Sequence, residues 1–232
     1  MARGRGDVPS ATLAHPSGAV CEVALCGAHI TSWRTHDGVE RLFMSSASAF
    51  APGSAIRGGI PVCFPQFSGR GPLPKHGFAR TSSEWQIEAM STEDDVCRLV
   101  LVLTDSDATR AHWPHSFTLR YTIILASDGL TTEFELHNTD EAPLAFTCAL
   151  HTYFAVADVR DVRAVGLQGL TYEDNAAGGE RSTEASEQVS RSHHIVRPAC
   201  ALFGRVRAAT AFTCGNQLGA RDRAHAVSRA AT

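Results

Sequence analysis

Residues 129–138 read GLTTEFELHN, in which Thr132, Phe134 and Leu136 alternate with Glu133, Glu135 and His137. A two-residue repeat sends one set of side chains to each face of a strand, so this segment predicts an antiparallel sheet with one buried and one wet face. The preceding run FTLRYTIIL, residues 117–125, has a similar pattern, and Ser127-Asp128-Gly129 lies between the two. Asp-Gly tolerates positive φ and favours a tight hairpin. A second hairpin is expected at Asp37-Gly38, joining HITSWRT to VERLFM, and a third at Glu93-Asp94-Asp95, joining EWQIEAM to CRLVLVLT. Closely spaced strands without a capped amphipathic helix predict an all-β antiparallel sandwich or barrel, with little helix. At 232 residues and 44% hydrophobic content, the chain has enough apolar material for a sizeable core.

Two stretches interrupt the strand period. Residues 51–80 hold six Gly, five Pro and three Arg, a density that precludes regular pairing. Ile56, Ile60, Val62, Phe64, Phe67 and Phe78 are too apolar for a solvated tether, so this segment is expected to be an ordered loop carrying binding groups. The second interruption begins near Asn175, and from Arg191 onward the sequence is rich in Ala and Arg without sustained alternation of apolar and polar residues. The formal charge of −3 hides a split, because seven Arg and one Asp in residues 191–232 make that stretch +6 and leave the first 190 residues at −9. We divide the chain accordingly into a sandwich domain at 13–187 and a divergent basic tail at 188–232.

The charge balance points to neither a nucleic-acid partner nor a membrane surface. No run of 18 apolar residues and no apolar leader segment are present, which predicts a cytoplasmic protein. The seven Cys show no CxxC spacing and read as free thiols in a reducing compartment. His112 and His115 have metal-compatible spacing, but Pro114 between them precludes a helix and no carboxylate cluster adjoins, so they are not read as a metal site. No dinucleotide, Walker or nucleophile-elbow motif occurs.

Two constellations remain. In LAFTCALHTYF, Leu144, Phe146, Cys148 and Leu150 take one face, while Ala145, Thr147, Ala149, His151 and Tyr153 take a smaller, more polar face suited to lining a ligand site. His151 can serve there either as a hydrogen-bonded structural residue or as a proton donor near neutral pH. In the loop, Arg57 followed by Gly58-Gly59, together with Lys75, His76 and Arg80, could gather cations around an anion such as phosphate. The alternative is a set of surface charges solvating an irregular loop.

The segments IRGGIPVCFPQF, LPKHGFAR, WPHSFTLRYTI and ALHTYFAVADV, in this order, resemble the glucose-6-phosphate 1-epimerases, the hexose-6-phosphate mutarotases of the aldose 1-epimerase superfamily. The resemblance runs from about Leu13 to about Asp174. It implies a galactose-mutarotase-like β-sandwich and an isomerase interconverting the α and β anomers of a hexose 6-phosphate without metal or organic cofactor. By resemblance His151 is the acid that protonates the ring oxygen, and Arg57 and Arg80 bind the phosphate. Lys75 stands where the family commonly has a glutamine, and can contact the phosphate as a flexible charge.

The family's general base is a glutamate near the C-terminus, following a Trp-Asn-Pro motif. Neither that motif nor a matching glutamate follows Glu187, and a family aspartate that helps to bind the sugar would fall near Val196. The sandwich is therefore expected to be incomplete at its C-terminal end, with open sheet edges, and the change of composition fits a shifted reading frame or an alternative exon after about Glu187. Ring opening would then use water or another carboxylate, with Asp174 and Glu187 as candidates. The rival expectation is a non-catalytic sugar-phosphate binding module that has lost its base. The sequence leaves the oligomeric state open.

Overall fold

The computed structural model describes residues 2–3, 8–69, 71–93, 95–174, 179–190, 214–218 and 223–231. The strands are β1 (Ala2–Arg3), β2 (Pro9–Ala14), β3 (Val20–Ala24), β4 (His29–Arg34), β5 (Val62–Cys63), β6 (Gln86–Glu93), β7 (Val96–Thr104), β8 (Phe117–Ala126), β9 (Gly129–Asn138), β10 (Leu144–Leu150), β11 (Arg163–Val165), β12 (Thr171–Asp174), β13 (Glu180–Thr183), β14 (Gln188–Ser190), β15 (Cys214–Leu218) and β16 (Arg223–Ala231). The α-helix among the described residues is the single turn α1 (Asp107–Arg110), closed by a capping box between Ser106 and Thr109.

The strands form a four-stranded sheet β1-β2-β3-β4, a five-stranded sheet β16-β9-β8-β7-β6, a three-stranded sheet β15-β10-β5 and two two-stranded ribbons. β8 alternates buried and half-buried residues along its whole length, and β9 does so from Leu130 onward. Their inward side chains, including Leu119, Tyr121, Ile123, Phe134 and Leu136, share one apolar cluster with Leu13, Cys21, Val23, Ile30 and Trp33 of the four-stranded sheet. The expected all-β sandwich is thus observed, with low helix content.

The hairpins at 127–128 and 94–95 join the strands assigned to them, closing in register at Ala126↔Gly129 and Glu93↔Val96. At Asp37-Gly38 the chain turns as expected, with Gly38 N–H donating to the Thr35 carbonyl, but the returning arm pairs only through isolated bridges such as Arg34↔Glu40. The Glu40 side chain takes over part of the ladder, accepting from the backbone N–H of Trp33 at 3.0 Å and of Leu42 at 2.9 Å.

The segment after Arg191 departs most from the sequence reading. Two of its stretches are strands: β15 pairs antiparallel with β10, and β16 pairs with β9 over nine consecutive positions, from Arg223↔His137 to Ala231↔Gly129. β16 therefore lies along the edge of β9. Val196, His193 and His194 lie outside the described residues.

One histidine joins the turns of the two large sheets. His15, buried in the β2–β3 turn, accepts at Nδ1 from the Ser17 backbone N–H at 3.0 Å and donates from Nε2 to the Asp95 carbonyl at 2.7 Å. Asp95 sits in the β6–β7 turn at φ +60°, a conformation in which Asp is tolerated better than most residues.

Candidate functional site

Strand β10 ends at Leu150, so His151 occupies the irregular segment just past the strand rather than a strand position. Its backbone remains anchored, with its N–H donating to the Pro61 carbonyl at 3.0 Å. Tyr153 N–H then donates to the Gly59 carbonyl at 2.8 Å, tying the same segment to the glycine-rich loop. The loop is ordered as expected: Ile56, Ile60, Val62, Phe64 and Phe67 are buried, and Phe78 is partly buried against the core.

Arg57 is placed by close backbone packing. Gly59 has φ +60°, and a Cβ there would lie 2.1 Å from the Ile30 carbonyl oxygen of β4. Gly58 has φ +117°, and a Cβ there would meet the Phe43 carbonyl oxygen at 2.4 Å. Only glycine accepts both the dihedral and the approach. From β4, the buried His29 donates through Nε2 to the Gly58 carbonyl at 2.7 Å. Burial pushes the His29 imidazole down to about 4, the Gly58 hydrogen bond opposes this, and the Arg80 cation adds to it.

A second device arranges Lys75, His76 and Arg80. The buried Gln66 amide donates to the carbonyls of Ser68 and Leu73 at 3.1 and 3.0 Å and accepts from Leu73 N–H at 3.0 Å, closing the loop between them. His76 N–H donates to the Ser68 carbonyl at 2.9 Å, while Ser68 N–H donates to His76 Nδ1 at 3.2 Å. With Nδ1 accepting, the neutral ring carries its proton on Nε2. Arg80 lies on the 3₁₀ turn Ala79–Thr81, and its Nη2 donates to the Lys75 carbonyl at 2.8 Å. Arg80 Nε is buried and has no hydrogen-bond partner. Phe67 N–H donates to Thr147 Oγ1 at 2.8 Å, which joins this half of the loop to β10.

These groups converge. Arg57, Lys75, His76, Arg80, His151 and Tyr153 all line one cleft of about 420 Å³. The His151 ring stacks on Tyr153 with centroids 4.9 Å apart, and meets His76 edge-on at 5.7 Å. Burial pushes the His151 imidazole below its ordinary value; a hydrogen bond to its own backbone opposes this, and Arg80 and Lys75 add to the depression. His76 is pushed down to about 4 by burial, with Arg80, His151 and Lys75 acting in the same direction. Burial raises the Tyr153 phenol, with a smaller opposing pull from Arg80 and Arg57.

All four site residues proposed from the sequence therefore come together, and His76, Tyr153 and the supporting Gln66 and His29 join them. No carboxylate is among the described residues lining the cleft, and neither Asp174 nor Glu187 reaches it. His115 lies elsewhere, against the Trp113 ring at 4.7 Å. Among the described residues, no group of three His, Cys, Asp or Glu side chains could hold a metal ion, and no helix is long and apolar enough to cross a membrane.

The family model for aldose 1-epimerase matches residues 9–198. The chain belongs to the aldose 1-epimerase family. Within it, a protein of Cenchrus ciliaris is 40% identical over 176 residues, covering 72% of this chain and 53% of its own length. A Salmonella typhimurium protein is 41% identical over 148 residues, covering 62% and 48%. Both carry the name "Putative glucose-6-phosphate 1-epimerase". The chain thus spans about half the length of these curated relatives. A Salmonella typhimurium crystal structure described as a "putative mutarotase" superposes with a TM-score of 0.68 at 33% identity, over 78% of this chain and 59% of that one. A galactose mutarotase related enzyme from Lactobacillus acidophilus shares the fold over 97% of both chains, with a TM-score of 0.72 at 14% identity. This aldose 1-epimerase family member accordingly has a mutarotase-like β-sandwich, as its sequence predicts.

Proposed function

We propose that the chain is an epimerase that interconverts the anomers of a hexose 6-phosphate, glucose 6-phosphate in the first instance. The observation that carries this reading is the convergence of Arg57, Lys75 and Arg80 with His151 in one cleft. Three cations in one cleft suit a phosphate dianion. The imidazole of His151 suits proton transfer at the ring oxygen of a sugar. The relatives' names favour the 6-phosphate as substrate.

In the proposed reaction the protonated His151 gives its proton to the ring oxygen as the C1–O bond breaks, while the anomeric hydroxyl loses its proton to water. The open-chain aldehyde rotates about C1–C2, and the reverse transfers close the ring in the other configuration. His76, with its proton on Nε2, is placed to donate a hydrogen bond to a sugar hydroxyl. A water in place of a positioned base costs about 10² to 10⁴ in rate. The buried free thiols of Cys21, Cys26, Cys63, Cys97 and Cys148 favour a reducing, cytoplasmic setting for this activity.

Anomer equilibration of freshly dissolved α-glucose 6-phosphate, followed by polarimetry, tests the assignment. The chain is expected to accelerate it and His151→Ala to abolish the acceleration; equal rates would reject the acid role. The absence of a carboxylate among the described residues lining the cleft favours a second reading, a sugar-phosphate binding module. Binding that depends on Arg57 and Arg80 with no acceleration would select it.

A further inference from the structure

An acid that must carry a proton sits in this cleft beside cations that repel one. The described residues lining the cleft contribute Arg57, Lys75 and Arg80 and no carboxylate, so none of these residues offsets their charge. We propose that an anion held by Arg57, Lys75 and Arg80 draws a proton onto His151, so that the substrate's phosphate charges the acid that acts on the sugar's ring oxygen. The proposal rests on the reading of the cleft as a phosphate site.

The groups around His151 define what can change its proton occupancy. Its ring contacts are Phe67 at 6.4 Å, His76 at 5.7 Å and Tyr153 at 4.9 Å. Phe67 cannot ionise, and burial holds the Tyr153 phenol and the neighbouring Cys63 thiol in their protonated, neutral forms. His76 is held uncharged near neutral pH by burial and by the same cations. Arg80 and Lys75 are the permanent charges acting on His151. Arg80 cannot retreat from the cleft freely, because its Nη2 is bonded to the Lys75 carbonyl at 2.8 Å. Among the described residues lining the cleft none brings negative charge to His151, whereas a bound anion would.

Linkage makes the effect reciprocal: if the anion favours the proton on His151, the proton favours the anion by the same factor. An opposite charge within about 4–6 Å typically moves a titration midpoint by about 1–3 pH units. An aldose without a phosphate would bring no negative charge to favour the proton on His151. Discrimination between the two substrate classes then lies in the chemical step as well as in binding, as expected when remote binding energy is used at the reacting centre.

Sulfate is the probe, because it is a tetrahedral dianion that does not itself titrate near neutrality. The ring signals of isotope-labelled histidines are followed against pH in sodium sulfate and in sodium chloride of equal ionic strength, with His151→Gln assigning the resonance. The His151 midpoint is expected to rise by about one pH unit or more in sulfate. Calorimetric titration with sulfate in two buffers of different ionisation enthalpy should show proton uptake by the wild type. His151→Gln should still bind sulfate but lose that uptake. Sulfate binding that depends on Arg57 and Arg80 without movement of the His151 midpoint would overturn the coupling and leave the phosphate site standing. Undiminished proton uptake in His151→Gln would overturn it in favour of His76. Failure of sulfate to bind at all would overturn the phosphate reading and the coupling together.

Discussion

His29 shows how much of the cleft depends on a residue that does not line it. Its ring is fully buried in β4, and its Nε2 donates to the carbonyl one residue beyond Arg57. His29→Leu removes the donor to a buried carbonyl, which costs about 1–3 kcal/mol. Urea titration should register that loss, and sulfate affinity should weaken because the peptide following Arg57 is released. Gly59→Ala should be worse than His29→Leu, since its Cβ would overlap the Ile30 carbonyl oxygen in a left-handed conformation. From the sequence, HITSW reads as a strand, and the glycine pair reads as permission for close approach. What approaches, and through which ring nitrogen it is held, depends on the packing of β4 against a loop some thirty residues later. Gln66 was hidden for the same reason, as its amide matters only once residues 68 and 73 have folded around it.

Among the elements, β8 divides into two kinds of position. Leu119 is completely buried, and Leu119→Ala should destabilise the protein by about 2–5 kcal/mol in denaturant unfolding. The adjacent Arg120 makes a well-formed pair with Glu88 across the wet face, with Nε to Oε2 at 2.8 Å. Both partners are more than a third exposed, so Arg120→Ala should cost less than about 1 kcal/mol, and less again at high salt. This contrast was readable in the sequence, because hydropathy alternates wherever one face meets the core and the other meets water. β16 was not readable in that way. Its alternation is one of size, with Ala224, Ala226, Ser228 and Ala230 standing opposite Leu136, Phe134, Thr132 and Leu130. A ladder is made by backbone groups and needs no hydropathy contrast along the strand. The arm after Asp37-Gly38 failed in the opposite sense: its turn was legible, but the Glu40 carboxylate stands in for strand pairing.

At the scale of the whole molecule, net charge says little about the site. A chain of formal charge −3 presents a cleft lined by three cations, because the balancing acids lie elsewhere. Two histidines contribute to acid stability. Burial pushes the imidazoles of His29 and of the half-buried His76 down to about 4 from the ordinary 6.5, so the unfolded chain binds more protons between those values. Their contribution is fully present above about 6.5 and is lost as pH falls from there toward about 4. The melting temperature should decline over that interval, and His29→Gln should flatten the decline. Legibility at this scale was mixed: the sandwich followed from strand periods, whereas the joining of its parts did not. The His15 ring spans the β2–β3 and β6–β7 turns, which lie eighty positions apart in sequence. Two reversals that would otherwise fray independently are thereby made one cooperative unit. In native-state hydrogen exchange the amides of Ser17 and Ala19 should open together with those of Val96 and Cys97, and His15→Ala should split them into two populations with separate opening rates.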